Sequence, residues 1–284
     1  MNGYRIASWN VNSLKARIDN VKNWLVTNDI DILCLQETKL HDSAFLEYVP
    51  IFQNMGFKTY HNGIGQYNGV ALFSKKEPVM IHMGFSLNDE PNMGVDYPEC
   101  RLIKAYYENL IIYNVYVPNG RSLEDIHMQF KLKWLRQLRV ELESELKSHG
   151  DKSIIVCGDF NIAPVNEDVK DIGLMVNSTH VSEPERQALK DIESMGFIDV
   201  GLSYVLKNKT ESKFRFTWWD YRQLAFQKND GMRIDLFLVW NKLTDGTSGD
   251  RIFELVTSYE THRDVRKEPK PSDHVPIVIS LNLT

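Results

Sequence analysis

Residues 4–37 contain the pattern that most restricts the fold, because they predict a strand, a helix and a second strand in one short segment. Ser13 can cap the helix, along which apolar side chains recur at helical spacing, at Leu14, Ile18, Val21, Trp24 and Leu25. This order predicts a βαβ unit, whose parallel strands end at one edge of the sheet. The chain is therefore predicted to be an α/β protein in which Asn10 and Glu37 lie close together.

A continuous apolar run at residues 154–157 predicts a strand that is covered on both faces. Asp159 follows this run closely, and Asn161 comes two residues later. If the chain stays extended, the two-residue period of a strand places both side chains on one side, at the end of the sheet. A strand followed by an Asx-type turn is the alternative interpretation.

Other predicted strands also carry polar side chains at an end or a beginning. Tyr116 lies near the end of a strand predicted at residues 110–117, Asp235 begins another, and Asp273 and His274 precede a third. The ends of the earlier strands and the beginnings of the later strands lie at the same edge of the sheet if the later strands run antiparallel to the earlier ones. A mixed sheet system would then gather one rim of polar side chains: Asn10, Glu37, Tyr116, Asp159, Asn161, Asp235, Asp273 and His274.

The remaining segments complete the predicted order of elements. We expect a turn and strand at residues 67–74, a loop at residues 84–99, a capping box of Ser122 and Asp125 before a long helix, a helix opened by Ser182, and a strand at residues 214–219. No linker-like stretch and no repeat of solenoid length divides the sequence. Residues 1–284 are therefore predicted to form a single domain.

The composition is that of a folded protein with a substantial core. With 284 residues, of which 43% are hydrophobic and 25% charged, nothing indicates disorder. No apolar run is long enough to cross a bilayer, and the amino terminus lacks the pattern of a secretory signal, so a cytoplasmic location is expected. Cys34, Cys100 and Cys157 are widely spaced, which predicts reduced core residues and neither disulfides nor a zinc site.

The overall charge argues against a general DNA coat protein. The net charge is −5 and the pI is near 5.9, whereas phosphate binding usually shows as a basic footprint. Five basic residues do fall in one short segment: Lys213, Arg215, Arg222, Lys228 and Arg233. From charge alone they predict a solvated positive face. A bound divalent cation would offset part of the acidic rim.

Eight sequence blocks carry a resemblance to a known superfamily. They are residues 8–14, 35–39, 69–72, 114–120, 158–164, 216–222, 233–236 and 271–276. In this order they resemble the exonuclease, endonuclease and phosphatase superfamily, and within it the exonuclease III type of abasic-site DNA repair enzymes. The resemblance implies a four-layer α/β sandwich, in which two mixed β-sheets pack face to face with helices outside. It also implies incision of DNA 5′ of abasic sites, with 3′ to 5′ exonuclease and 3′-phosphatase activities.

The chemistry of a phosphodiesterase can be assigned to rim residues. Hydrolysis needs an activated nucleophile and stabilisation of charge on the phosphoryl oxygens. The hard oxygens of Glu37 and Asn10, with Asp273 nearby, suit Mg²⁺, for which Mn²⁺ would substitute. Asp159 and Asn161 could hold a second or migrating ion.

The resemblance also implies catalytic roles for several of these residues. Asp159 is the acid-base residue, which orients water or protonates the leaving group. His274 contacts the scissile phosphate, and Asp235 fixes its tautomer as a carboxylate does beside a catalytic imidazole. Tyr116 and Asn161 complete the phosphate cradle.

The expected substrate is double-stranded DNA with abasic or blocked 3′ ends, bound by a monomer. By position in the matching blocks, Trp218, Met232 and Ile234 would line a small apolar pocket for the extruded sugar. Arg222 and Asn12 are assigned to the same DNA-binding region. The alternative is that the three pocket residues are ordinary core residues of adjacent strands.

Three other functions are compatible with parts of this pattern. The enzyme could be mainly a 3′-phosphatase or 3′-exonuclease with little abasic-site incision. A phosphoesterase acting on inositol phosphates or sphingolipids would reuse the metal and Asp/His residues, but the block at residues 216–222 resembles the DNA-repair branch. A non-catalytic scaffold would be expected to lack an acidic or histidine position, and all are present.

Overall fold

The computed structural model describes residues 3–86, 100–208, 215–242 and 252–283. Most of the loop predicted at residues 84–99 lies outside these ranges, as does Lys213. The strands are β1 Gly3–Asn10, β2 Ile32–Gln36, β3 Lys58–Asn62, β4 Val70–Ser74, β5 Met80–Met83, β6 Leu102–Tyr106, β7 Leu110–Tyr116, β8 Ser153–Asp159, β9 Ile198–Asp199, β10 Asp235–Trp240, β11 Val256–Thr261 and β12 Ile277–Asn282. The helices are α1 Leu14–Thr27, α2 Asp42–Phe45, α3 Val49–Gln53, α4 Ile126–His149, α5 Ile172–Met175, α6 Glu183–Glu193, α7 Val200–Asn208, α8 Ala225–Lys228 and α9 Ile252–Leu255.

The strands form two mixed sheets of six strands each. Their orders are β11-β12-β1-β2-β4-β3 and β5-β6-β7-β8-β10-β9. β1 and β2 are parallel, as the βαβ pattern predicts, and so are β7 and β8. β12 runs antiparallel to β1, and β10 runs antiparallel to β8. The later strands therefore begin where the earlier ones end, which confirms the predicted condition for a shared rim.

Three apolar layers hold these elements together. One lies between the sheets and contains Cys34 of β2 and Cys157 of β8. The other two cover the outer faces, where α1 packs on the first sheet and α4 and α6 pack on the second. The predicted four-layer α/β sandwich is therefore confirmed, and the three cysteines are buried as predicted. In the described part of the chain, no helix has the length and apolarity that a membrane span requires.

Two of the three predicted helix starts are confirmed. The Ser13 hydroxyl accepts from the main-chain N–H of Ala16, and Ser182 forms a capping box with Glu185. The capping box predicted for Ser122 and Asp125 is wrong, because α4 begins at Ile126 with Asp125 itself as the N-cap. The Asp125 carboxylate accepts from the main-chain N–H two residues later, so the helix cannot extend further back.

The strand predicted at residues 214–219 is wrong over its described part. Only two isolated bridges form there, in which Trp218 pairs with Met232 on one side and His274 on the other. Both neighbours are loop residues, so no ladder can develop. Thr217 explains the irregular path, because its hydroxyl oxygen accepts from two successive main-chain N–H groups, those of Ile234 and Asp235, at 3.1 Å each.

The basic segment does not form a solvated positive face throughout. Arg233 is fully buried and donates two hydrogen bonds to the Asp168 carboxylate, at 2.7 and 2.9 Å. Arg215 is also buried and pairs with the same carboxylate at 2.6 Å. The interpretation as a solvated face is therefore wrong for these two residues, which share the buried Asp168 carboxylate.

Glu193, at the end of α6, gives a stability prediction. Burial and the nearby Asp199 carboxylate raise its pKa from 4.5 to about 7. The folded state therefore disfavours the ionised form, and this cost appears as pH rises from the unfolded pKa through about 7. We expect Glu193→Gln to raise the unfolding free energy by about 1–2 kcal/mol at pH 8, after allowance for solvent screening, and by little at pH 5.

Urea titrations of both proteins at the two pH values measure this difference. The control is Glu183→Gln, on the same helix, because the Glu183 side chain is 76% exposed. It should change stability equally at both pH values. A Glu193→Gln effect that does not depend on pH would contradict the prediction.

Candidate active site

Three functional side chains lie at one level across neighbouring strands of the second sheet. Tyr116 at the end of β7 is directly opposite Asp159 at the end of β8, and Asp159 is directly opposite Asp235 at the start of β10. In the first sheet, Asn10 ends β1, and Glu37 follows β2. The packing of the two sheets brings these strand ends together at one rim.

The backbone around Asp159 explains how the carboxylate is placed. Gly158 has a φ of +146°, and a Cβ there would lie 1.8 Å from the Val115 carbonyl oxygen, so only glycine fits. Asn161 has a φ of +52°, and its main-chain N–H donates to Asp159 Oδ1 at 2.8 Å. The prediction that the chain stays extended to Asn161 is therefore wrong, and the Asx-type turn is correct.

A hydrogen-bond network joins Glu37 to the opposite sheet. Asn10 Nδ2 donates to Glu37 Oε1 and to Asp159 Oδ2, both at 2.9 Å. The Tyr116 hydroxyl donates to the same Glu37 oxygen at 2.9 Å. Burial alone would raise the pKa of Glu37, but the Lys39 ammonium and the Asn10 amide hold it below its usual value. Glu37 is therefore an ionised carboxylate at neutral pH.

His274 lies between two carboxylates. Its Nδ1 donates to Asp235 Oδ2 at 2.8 Å, and its Nε2 lies 3.8 Å from Asp159 Oδ2. Burial would lower the pKa of His274, but Asp235 and Asp159 outweigh it and raise the pKa. Burial, together with Asp235 and Glu37, raises the pKa of Asp159 to about 7 although His274 opposes this. A carboxylate with such a pKa is suited to take up and release a proton.

Asn161 is held on several sides. Its Nδ2 donates to the main-chain carbonyl of Val117 at 2.9 Å, and its Oδ1 accepts from Asn119 Nδ2 at 3.3 Å. Its Nδ2 also lies 3.4 Å from Asp159 Oδ2. The pKa of Tyr116 is raised mainly by burial and further by the nearby Glu37 carboxylate. Its hydroxyl therefore stays protonated and acts as a neutral donor.

The predicted DNA-binding residues are distributed over two places. Trp218, Met232 and Ile234 share one apolar cluster, together with Ala163, Val169 and Val181. Asn12 Nδ2 donates to Asp273 Oδ1 at 2.9 Å beside this cluster. Arg222 lies apart from it, with its side chain 84% exposed and paired with Asp220 at 2.6 Å.

This geometry can be compared with known proteins. A model of the Endonuclease/Exonuclease/phosphatase family matches residues 7–274. The chain belongs to this family. It is 31% identical over 285 residues to an exodeoxyribonuclease of Bacillus subtilis (strain 168), with 98% of this chain and 100% of the relative covered.

Solved structures give the same assignment. An AP endonuclease from Archaeoglobus fulgidus superposes with a TM-score of 0.85 at 31% identity, covering 99% of this chain and 100% of that chain. The 3′ phosphatase NExo from Neisseria, solved with a product DNA hairpin, also gives 0.85, at 32% identity and with coverage of 99% and 100%. The resemblance to the exonuclease III type is therefore confirmed.

Members of this family are metal-dependent nucleases, and the rim residues fit a metal ion. Glu37, Asp159 and His274 each present one ligand atom, and these atoms lie within 4.8 Å of one another. His274 gives its Nδ1 proton to Asp235 and has a raised pKa, so the two carboxylates are the better ligands. Among the described residues, Asp273 is not part of this group, and its oxygens accept from Asn12 and from Trp218 Nε1.

Sequence reasoning missed several side chains of this family site. Lys39 has its Nζ 2.8 Å from Glu37 Oε2, and Ser272 Oγ donates to the Asn10 carbonyl at 2.7 Å while accepting from the main-chain N–H of His274 at 3.2 Å. Both lie inside matched sequence blocks, which was the available signal. Gln36 and Asn114 also lie inside matched blocks and were missed, yet Gln36 Nε2 donates to Asn114 Oδ1 at 2.7 Å and ties the two sheets together beneath the site.

Proposed function

We propose that this protein is a metal-dependent DNA repair phosphodiesterase that incises the DNA backbone 5′ of abasic sites. Its lesser activities are 3′ to 5′ exonuclease and 3′-phosphatase action. It acts as a single domain and as a monomer, in the cytoplasm, on double-stranded DNA with abasic or blocked 3′ ends. The observation that carries the proposal is the convergence of Glu37, Asp159 and the Asp235–His274 pair at one rim.

Asp159 is the residue that handles the proton in this proposal. Its raised pKa, near 7, lets the carboxylate accept a proton from water or deliver one to the leaving oxygen. Its position is fixed by Asn10 and by the main-chain N–H of Asn161, which both donate to it. Burial excludes competing water, so the proton exchanges with the reactants and not with bulk solvent.

The phosphate cradle consists of hydrogen-bond donors that face the same space. His274 is held as an imidazolium by Asp235, so its Nε2–H is aimed at the reacting phosphate. Tyr116 and Asn161 are the other members of the cradle, and in the structure the Tyr116 hydroxyl donates to Glu37 while the Asn161 amide donates to Val117 and Asp159. The His274 donor, which is fixed before the reaction, stabilises developing charge without reorganisation.

Glu37 would hold a Mg²⁺ or Mn²⁺ ion, with Asn10 and Asp273 as further candidate ligands from the sequence, and Asp159 and Asn161 would be candidates for a second or migrating ion. When bound, the ion supplies charge neutralisation on the phosphoryl oxygens. Asn10 presents its N–H group to both carboxylates, and its Oδ1 accepts from the main-chain N–H of Asn12 at 3.0 Å. Asn10 thus orients the two carboxylates toward each other.

The names of the relatives support DNA as the substrate. They are an exodeoxyribonuclease, an AP endonuclease and a 3′ phosphatase, and the phosphatase was solved with a DNA hairpin. Trp218 is half-buried beside the rim, where its Nε1 donates to Asp273, and it is the member of the apolar cluster that an extruded sugar would contact, while Met232 and Ile234 are buried. Met232 is a flexible thioether, which could admit a wider range of sugars than a rigid ring.

Rates on three DNA substrates test the proposal: an abasic duplex, a nick with a 3′-phosphate, and an undamaged recessed end. We expect the wild type to cut the abasic duplex fastest. Trp218→Ala should slow abasic-site incision by about tenfold or more, because the sugar loses the wall that orients it. It should slow removal of the 3′-phosphate less. Val26→Ala, near the end of α1 and 76% exposed, is the control and should change the order of rates little.

The same assay separates the rival functions. A wild type that clears the 3′-phosphate but leaves the abasic duplex intact would overturn the pocket assignment and favour the 3′-phosphatase. Hydrolysis of inositol phosphates without DNA cleavage would favour the lipid-phosphatase type. Inactivity on every substrate with Mg²⁺ or Mn²⁺ present would favour a non-catalytic scaffold protein.

A further inference from the structure

A buried ion pair lies next to Asn161 and has no role in the reaction described above. Lys131 is in the first half of α4, Glu185 is in the first turn of α6, and both side chains are fully buried. An ammonium at this depth is costly unless a carboxylate and further acceptors surround it. Glu185 supplies the carboxylate through a direct hydrogen bond.

The Lys131 ammonium has a second acceptor in the active site. It donates to the main-chain carbonyl of Asn161 at 2.6 Å, and His180 Nδ1 donates to the same oxygen at 2.7 Å. Asn161 adopts a left-handed φ of +52°, which a residue other than glycine adopts only at some cost. The two donors fix the peptide plane that follows Asn161 and so hold this conformation.

Glu185 connects these donors to each other. Its Oε1 accepts from the Thr179 hydroxyl and from the main-chain N–H of His180, both at 2.9 Å, and its Oε2 accepts from the Ser182 hydroxyl at 2.5 Å. These bonds place the segment that carries His180. Two helices and the Asp159–Asn161 turn therefore meet at one pair of opposite charges.

We propose that Lys131, held by Glu185, is a positioning residue that fixes the Asn161 backbone and thereby the Asn161 main-chain N–H and side-chain amide, which both donate to the Asp159 carboxylate. The inference rests on the proposed function, in which Asn161 belongs to the phosphate cradle. If the Asn161 carbonyl lost this donor, the peptide could rotate. The amide would then turn away, and the N–H group that holds Asp159 Oδ1 would shift with it.

A second buried ion pair, which also has one member on α4, offers a matched control. Lys104 and Glu141 are also buried and hydrogen-bonded, with side-chain exposures of 0% and 4%. Both side chains also hydrogen-bond with Ser86, and within the described residues no hydrogen bond joins them to a residue of the site. The two pairs match in charge and depth, and each has one member on α4, but of the two only Lys131–Glu185 contacts Asn161.

The test compares Lys131→Met/Glu185→Gln with Lys104→Met/Glu141→Gln. Each double variant removes both charges, so no lone charge stays buried, and glutamine keeps an oxygen for the other donors. We expect kcat for abasic duplex cleavage to fall by about tenfold to a hundredfold in the first variant, with KM and Tm changed little. The control should keep the wild-type kcat.

A third variant protects the test if the first double variant does not fold. His180→Asn removes the other donor without burying a charge, since asparagine tolerates the φ of +77° at this position but is too short to reach the carbonyl. It should lower kcat by about threefold or more at constant KM.

Equal kcat values for the two double variants would overturn the positioning role. A kcat that falls only in proportion to the unfolded fraction would overturn it as well. Asp159→Asn in the same assay keeps this result separate from the proposed function. If the wild type cuts and Asp159→Asn does not, the proposed function stands even where the Lys131 inference fails.

Discussion

Excess chelator is expected to abolish DNA cleavage by this protein, and added Mg²⁺ or Mn²⁺ is expected to restore it. The reason is the donor set, in which the half-buried Glu37 and the buried Asp159 carboxylates face one small space with no soft ligand among the described residues. Without a cation, both carboxylates would repel the approaching phosphate. Full activity in excess chelator would contradict the metal assignment.

Glu37→Gln sharpens this prediction. Glutamine keeps an oxygen that accepts from Asn10 and Tyr116, so the local hydrogen bonds survive while the charge is lost. Changes outside the ligand shell already weaken metal sites about tenfold to a hundredfold, so the Mg²⁺ concentration for half-maximal rate should rise at least about tenfold. Direct Mn²⁺ titration of the variant measures the same loss without DNA.

Two controls complete the metal experiment. Glu77→Gln, on the surface beside Lys58 with the Glu77 side chain 69% exposed, should leave the metal requirement unchanged. Asp273→Asn tests the remaining ligand predicted from the sequence. An unchanged metal requirement in Asp273→Asn would assign that carboxylate to Asn12 and Trp218, its partners in the structure.

Asp159→Asn and His274→Ala are each expected to lower kcat by about a hundredfold or more. Asparagine at position 159 can still accept from the main-chain N–H of Asn161, so the turn persists, but the group can no longer exchange a proton. Alanine at position 274 removes the cationic donor that Asp235 holds in place. Binding of abasic DNA should largely survive in both variants, because neither residue forms the apolar cluster.

Single-turnover cleavage and a separate binding titration distinguish these effects. The two residues act on one phosphate, so the double variant should be much less impaired than the product of the single effects predicts. His82→Ala, on the edge strand β5, is the control and should cut at the wild-type rate. Near wild-type turnover in either single variant would contradict the assigned role of that residue.

Much of the site could be predicted because its polar residues directly follow or precede strands that the sequence pattern reveals. Asn10 and Glu37 follow two strands of one βαβ unit, whose geometry brings them to the same edge. Asp235 begins a strand, and its antiparallel pairing puts it opposite Asp159. For these residues, hydrophobic pattern and topology rules are enough.

Other parts of the site could not be predicted, because their partners are distant in sequence. Lys131 lies on the face of α4 that packs against the second sheet, and only the packing of α6 shows that Glu185 neutralises it. Arg233 belongs to a basic segment, yet in the structure it is buried and paired with Asp168, which lies 65 residues earlier in the sequence. Thr217 diverts its segment from a strand through bonds to N–H groups 17 and 18 residues away.

The sequence by itself determined the α/β class, the parallel pairing of the first two strands and the polar residues at the strand ends. Local periodicity and chain direction set these features. Only the tertiary structure decided the protonation of the site. Burial, Asp235 and Glu37 raise the pKa of Asp159, and His274 opposes them. These residues come from both sheets and from the loop before β12. Interactions of this kind depend on distance and on burial in a low dielectric, and both are fixed only when the two sheets pack together.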